Sequence, residues 1–267
     1  MPAPDGAADR DLLMRASQAA GDIALKYFGA DPASWEKEDG AGPVTVADLE
    51  VDAALREALT TARPDYGWLS EETEDGRERL SKRRVFIVDP IDGTRSFIEG
   101  SRTWALSLAV VEDGAPVAAV VYLPARDLLY EAARGSGARL NGQALFATDA
   151  RHPAKARVLA SKSTFRDALW RRAPPLPHLT FRSSLAYRMA TIAQGRFDAM
   201  ITLRRTWEWD VAAGALLVTE AGGQVATTKG PPRFNSAGAW QPGILAGGPS
   251  LISTYLERAP RVPAPAA

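Results

Sequence analysis

Residues 85–94 constrain this chain more than any other stretch: Val-Phe-Ile-Val-Asp-Pro-Ile-Asp-Gly-Thr. Four consecutive apolar residues at 85–88 have the pattern of a short strand buried on both faces. Asp89 falls where that strand leaves the core, Pro90 restrains the backbone, and Asp92 follows three residues later. Gly93 and Thr94 then open a helix, with Asp92 as its expected N-cap. Two carboxylates at a strand end, beside backbone N–H groups that a helix start leaves free, suit a hard cation bridging to a phosphate. A solvated turn, in which Asp, Pro and Gly take their ordinary turn roles, explains the same residues. The run alone leaves both readings open.

Composition narrows the chemistry. The chain has no Cys and only two His, His152 and His178. That removes disulfides, thiolate zinc sites and a cysteine nucleophile, and disfavours a Ser–His triad or a histidine-rich metal centre. Any metal is therefore held by oxygen, which favours magnesium, manganese or calcium. Lys plus Arg and Asp plus Glu both total 32, so the formal net charge is zero, which argues against a nucleic-acid coat or a membrane-surface protein. No apolar run reaches the length of a membrane span, and the N-terminal MPAPDGAADRD has neither the basic nor the apolar region of a signal peptide. A cytoplasmic location is the resulting expectation. The tail at 261–267, Pro- and Ala-rich, is expected to be disordered.

Helical spacing of apolar residues runs from Asp9 to Phe28, closed by Gly29 and Pro32, and again from about Ala47 to Arg63. Strands are expected at 85–88, 104–111 and 116–122, the last two joined by an Asp113-Gly114 hairpin turn. A second hairpin is expected through Gly135-Ser136-Gly137. Beyond about Leu145 the pattern alternates: strands at 158–160, 197–202 and 244–246, helices at 164–171, 186–194, 210–221 and 249–258. This predicts one compact domain over 1–267. An α+β part at about 9–145 carries the candidate metal loops, and an α/β part at 146–260 lies on the substrate side.

Four further acidic residues have bland local readings. Glu71-Glu72 reads as an exposed charged loop, Asp210 as a helix N-cap, and Asp48 as a helix-start Asp. Together with 89–97, however, they stand in four blocks: KEDGAGPVTVAD (37–48), Ser70-Glu71-Glu72, DPIDGTRSF (89–97) and WDVAAGALLVTEAGG (209–223). In order and spacing these blocks resemble the inositol monophosphatase family of metal-dependent, lithium-sensitive phosphomonoesterases, over about residues 10–258.

The resemblance implies a five-layered αβαβα sandwich with its site between the halves. It implies Glu71, Asp89, Asp92, Asp210 and the Ile91 carbonyl as ligands to two or three Mg2+ ions. It also implies Asp48 cooperating with Thr94 to orient the attacking water, and Lys37 as the basic residue of a loop closing over the metals. Gly93, Thr94 and Asp92 would contact phosphate. A dianionic ester attacked by water needs positioning and charge neutralisation more than covalent help, and these groups supply both.

The substrate implied is a small-molecule phosphate ester, not a nucleic-acid polymer. Glu208-Trp209-Asp210-Val211-Ala212-Ala213 and Ser183-Ser184-Leu185 resemble bacterial 3′(2′),5′-bisphosphate nucleotidases, with Ser183 and Glu208 as substrate contacts. Leu203 stands where inositol monophosphatases carry a Glu, seven residues before the metal Asp. Arg204 and Arg205 suit a second phosphate, and equally a surface strand end. Asp92-Gly93-Thr94-Arg95-Ser96-Phe97 also resembles histidinol phosphatases, and inositol 1-phosphate remains an alternative substrate. The family further implies a homodimer, with an exposed Trp104 or the 95–104 segment as a contributor. A non-enzymatic alternative, a partner-binding accessory protein of transcription or ribosome assembly, is disfavoured because the whole acidic set is present.

Overall fold

The computed structural model describes residues 6–37 and 42–258. The expected tail at 261–267 lies outside them. Helices α1 (Gly6–Tyr27) and α2 (Val46–Ala62) pack on one face of a seven-stranded sheet. Along that sheet the strands run Gly67–Ser70, Arg84–Asp92, Ala105–Glu112, Ala115–Leu123, Leu128–Ala133, Ala138–Leu140 and Gln143–Ala144. Only the first pair is parallel. The short α3 (Thr94–Ile98) follows the second strand directly.

Two further helices, α4 (Leu185–Ala193) and α5 (Glu208–Glu220), cover the other face of this sheet and also pack on a five-stranded mixed sheet. Its order is His178–Thr180, Arg157–Leu159, Ala199–Thr202, Ile244–Gly247 and Gln224–Ala226. Helix α6 (Pro249–Leu256) closes the far side with Phe165 and Trp170. Helix, sheet, helix, sheet, helix: the five-layered sandwich is as expected.

The strand Arg84–Asp92 is buried along its whole length, as its unbroken apolar run requires. Phe86 and Val88 face α1 and α2, whereas Val85 and Ile87 face α4 and α5. Strand alternation therefore places Asp89 on the α5 side. The antiparallel register with Ala105–Glu112 shifts between Asp89 and Asp92, an irregularity of the kind that re-aims side chains beside active sites.

Helix α5 is buried nearly all round, and its small residues serve close approach. A Cβ on Gly214 would lie 2.5 Å from Met189 Cβ on α4.

Two expectations fail. The helix expected at 164–171 is instead two 3-10 turns, Lys162–Phe165 and Asp167–Leu169. The Trp170 indole donates to the Thr164 carbonyl at 2.7 Å, the acceptor an α-helix would have needed. Trp104 is buried at 0% exposure between Phe28 and Phe97, so it offers no surface to a second subunit. No helix of the described residues is long and apolar enough to cross a membrane.

Candidate active site

Parallel pairing builds the first half of the site. Ser70 is paired with Val88, and the Glu71 N–H donates to the Val88 carbonyl, so Glu71 and Asp89 leave the same sheet edge side by side. Asp210, in the first turn of α5, meets them from the opposite layer. One carboxylate oxygen from each of Glu71, Asp89 and Asp210 lies within 4.8 Å of the other two.

Asp92 is turned elsewhere than expected. The N-cap of α3 is Gly93, at φ 101°, with no side-chain cap. Asp92 instead accepts from the Ser184 hydroxyl at 2.7 Å and the Ala186 N–H at 2.6 Å, at the N-terminus of α4. It ties the metal-loop half to the middle helix layer.

Asp48 is shared in the same way. Its Oδ2 closes a capping box on α2, accepting from the Thr45 N–H at 2.8 Å and the Thr45 hydroxyl at 2.6 Å. Its Oδ1 faces Thr94, whose hydroxyl lies 3.3 Å from it and 3.3 Å from the Ile91 carbonyl. Lys37 Nζ donates to Glu71 and to Glu72, both at 2.7 Å.

Crowded buried carboxylates bind protons unusually well. Burial first, then Glu71, Asp92 and Asp210, holds Asp89 far above the ordinary carboxylate range. Burial and the neighbouring Asp92 and Glu71 do the same to Asp210, against the opposing Arg204. Burial pushes Asp92 and Asp48 each up to about 6, although the hydrogen bonds each accepts pull down. Glu72 is pushed up to about 7 by burial, with Lys37 opposing. Burial opposes the charge on Lys37, yet Glu71 and Glu72 together keep it above the ordinary lysine range.

This donor set fits a divalent metal. Asp89 Oδ1 is buried without a hydrogen-bond partner, and every converging donor is oxygen. A buried, unpartnered carboxylate oxygen is costly unless a cation shares its pocket.

Other expected contacts have prior engagements. Ser183 bonds the Ser96 hydroxyl at 2.7 Å and the Thr103 carbonyl at 3.1 Å, joining α3 to the loop before α4. Glu208 was expected to touch substrate, but it is fully buried and accepts from the backbone N–H groups of Asn235 and Ser236 and from the Ser236 hydroxyl. It holds the 235–241 loop, and its nearness to Asp210 in sequence misleads because successive helical residues face different directions. Arg205 is stacked between Trp207 and Trp240, at 4.5 and 4.9 Å from their ring centroids. Arg204 is exposed beside a cavity.

Some residues escaped sequence reasoning. Asp52, one turn after Asp48 on α2, accepts from the Ser70 and Thr73 hydroxyls and so anchors the Glu71-Glu72 turn. The four-residue spacing from Asp48 was its available signal. Ser184 stood in a quoted block without a role, and its position before a helical run was a capping signal.

The model of the inositol monophosphatase family matches residues 9–257. The chain belongs to this family. Its members are phosphatases, and so is this protein. The family is metal-dependent, consistent with the oxygen cluster. The phosphatase is similar to the 3′(2′),5′-bisphosphate nucleotidase CysQ of Salmonella typhimurium, with 33% identity over 224 residues, 80% of this chain and 89% of the relative. It is also similar to the inositol-1-monophosphatase of Rhizobium meliloti, 36% identical over 210 residues, 73% of this chain and 76% of the relative. Among solved structures, the extragenic suppressor protein suhB from Bartonella henselae matches with a TM-score of 0.77 at 28% identity, covering 94% of this chain and 97% of that one.

Proposed function

We propose that this phosphatase uses Mg2+ to hydrolyse a small phosphate monoester, with a 3′(2′),5′-bisphosphate nucleotide as the preferred substrate over inositol 1-phosphate. The carrying observation is the convergence of Glu71, Asp89 and Asp210 around a buried carboxylate oxygen that no protein group satisfies. Glu71, Asp89, Asp92, Asp210 and the Ile91 carbonyl would hold two or three ions, which neutralise phosphoryl oxygens and acidify water when bound.

The chain's own residues do the rest. Thr94, placed between Asp48 and the Ile91 carbonyl, orients the attacking water, and its hydroxyl passes the proton to Asp48. Burial has raised Asp48 to about 6, near the value useful to a general base at neutral pH. Gly93 and Thr94 are the proposed phosphate contacts at the turn into α3. Lys37, held by Glu71 and Glu72, supplies a positive charge at the mouth of the acidic cluster.

The two relatives differ in their named substrates at similar identity, so the preference comes from this chain's own residues. Leu203 offers no carboxylate for sugar hydroxyls, and Arg204 stands exposed at the neighbouring cavity. Phosphate release with Mg2+ from 3′-phosphoadenosine 5′-phosphate, inositol 1-phosphate and histidinol phosphate tests this. The first is expected to be fastest. Release from none of them, or activity in Asp210→Asn above about a tenth of wild type, refutes the metal assignment. A homodimer is proposed from the family's habit, and light scattering at the expected monomer mass would overturn it.

A further inference from the structure

A cavity of about 610 Å³ opens where three parallel strands end. Ser161 and Ser163 follow Arg157–Leu159, Phe181 follows His178–Thr180, and Arg204 follows Ala199–Thr202. The carboxyl ends of parallel strands are where α/β sheets usually hold ligands. Three guanidinium groups line it, Arg166, Arg188 and Arg204, and no carboxylate does.

These arginines lack counter-ions. Arg63, Arg79, Arg84 and Arg157 each form an ion pair, but among the described residues none of the three does. Arg188 is the telling one, because it is only 7% exposed. Its Nε donates to the Arg182 carbonyl and its guanidinium lies 4.4 Å from the Phe181 ring centroid, so it is held in one orientation. Its terminal N–H groups have no partner among the described residues, and the side chain lines the cavity. Arg188 also lies in the field of Asp92 and Asp210, which push its proton affinity up while burial and Arg204 pull it down to about 10. Asp92 bonds the Ser184 hydroxyl and the Ala186 N–H at the start of α4, the helix that carries Arg188, so the cavity adjoins the carboxylate cluster. A guanidinium that is oriented, largely dehydrated and unpaired is a ready partner for a planar or tetrahedral oxyanion.

We propose that this cavity receives a second phosphate, carried on the alcohol portion of the scissile ester, and that Arg188 with Arg166 and Arg204 selects substrates that bear it. The inference rests on the phosphatase reading above and replaces the Arg204–Arg205 pair expected from sequence. Arg205 is already enclosed by two tryptophans.

The test compares adenosine 3′,5′-bisphosphate with adenosine 3′-monophosphate, using the full chain with Mg2+. Wild type should favour the bisphosphate. Arg188→Met should reduce that preference roughly tenfold or more, as expected for a lost charge-assisted hydrogen bond, mainly through KM, and Arg188→Lys should restore part of it. Arg204→Met, a surface change that leaves the core intact, should move the preference in the same direction if Arg188→Met fails to fold. An equal loss on both nucleotides would make Arg188 a mere prop for Asp92 and Asp210, and would overturn the proposal. So would a wild type that does not discriminate between them. Calorimetric binding of the two nucleotides separates the two readings. If no ester releases phosphate, the phosphatase reading falls, while tighter binding of the bisphosphate that Arg188→Met abolishes still upholds the cavity assignment.

Discussion

Replacing Asp89 by Asn should make the metal-free protein more stable at neutral pH and largely blind to magnesium. Asp89 is buried at 1% exposure beside Glu71, Asp92 and Asp210, with one oxygen unpartnered. Burial and the charges of Glu71, Asp92 and Asp210 raise Asp89 well above the ordinary carboxylate range, and an uncompensated buried charge costs about 3–5 kcal/mol. An Asn amide brings its own unpaired N–H, so a net gain of about 2 kcal/mol is expected. For a chain of this size that raises Tm by roughly 4–8 °C.

The sign depends on pH. An acid that holds its proton more tightly when folded lowers stability as pH climbs from its unfolded value through its folded one. The wild-type protein in EDTA should therefore lose stability upward from about pH 4, through about pH 6 for Asp48 and Asp92, and further for Asp89 and Asp210. The advantage of Asp89→Asn should vanish near pH 4 and grow as pH rises through neutrality to pH 8. Thermal melts in EDTA at several pH values, followed by Mg2+ titration, measure this. Wild type should gain about 2.7 kcal/mol at a hundredfold excess over Kd, and the variant little. A variant that melts at or below wild type in EDTA at pH 8, yet gains as much from Mg2+, refutes the reasoning.

Thr94→Val should lower kcat on the order of a hundredfold with little change in KM, measured by phosphate release, because it removes the hydroxyl between Asp48 and the Ile91 carbonyl. Glu208→Gln should cost about 2 kcal/mol in urea denaturation while kcat/KM changes little, since its carboxylate holds the 235–241 loop. Gly214→Ala should destabilise by about 1–3 kcal/mol despite the better helix propensity of Ala, because the new Cβ would meet Met189 Cβ at 2.5 Å. A gain in stability there would show that α4 and α5 have room to separate.

Much of the fold was readable from local pattern. The strand buried on both faces at the unbroken apolar run 85–88, the Asp113-Gly114 turn with both residues at positive φ, and the apolar faces of α1 and α2 all follow from residue order and backbone sterics. The acidic positions were readable only through the order and spacing of the four blocks that resemble the family, because each has an ordinary local role as a turn, loop or cap residue. Elements set by a side chain bonding the backbone, or by pairing of distant segments, were not. The turns at 162–169 depend on an indole reaching back to Thr164, and the two-residue pairing of Thr206–Trp207 with Trp240–Gln241 joins segments far apart in the chain.

Sequence alone determined that the candidate ligands are oxygen groups and that a buried strand ends at Asp89, since composition and the apolar run are properties of the chain itself. Tertiary structure decided their partners. It turned Asp92 onto the start of α4 rather than α3, Glu208 onto the 235–241 loop, Trp104 inward against Phe28 and Phe97, and Arg188 into an uncompensated cavity. Hydrogen bonds and charge–charge forces act across space, so residues dozens of positions apart choose one another only after the layers have packed.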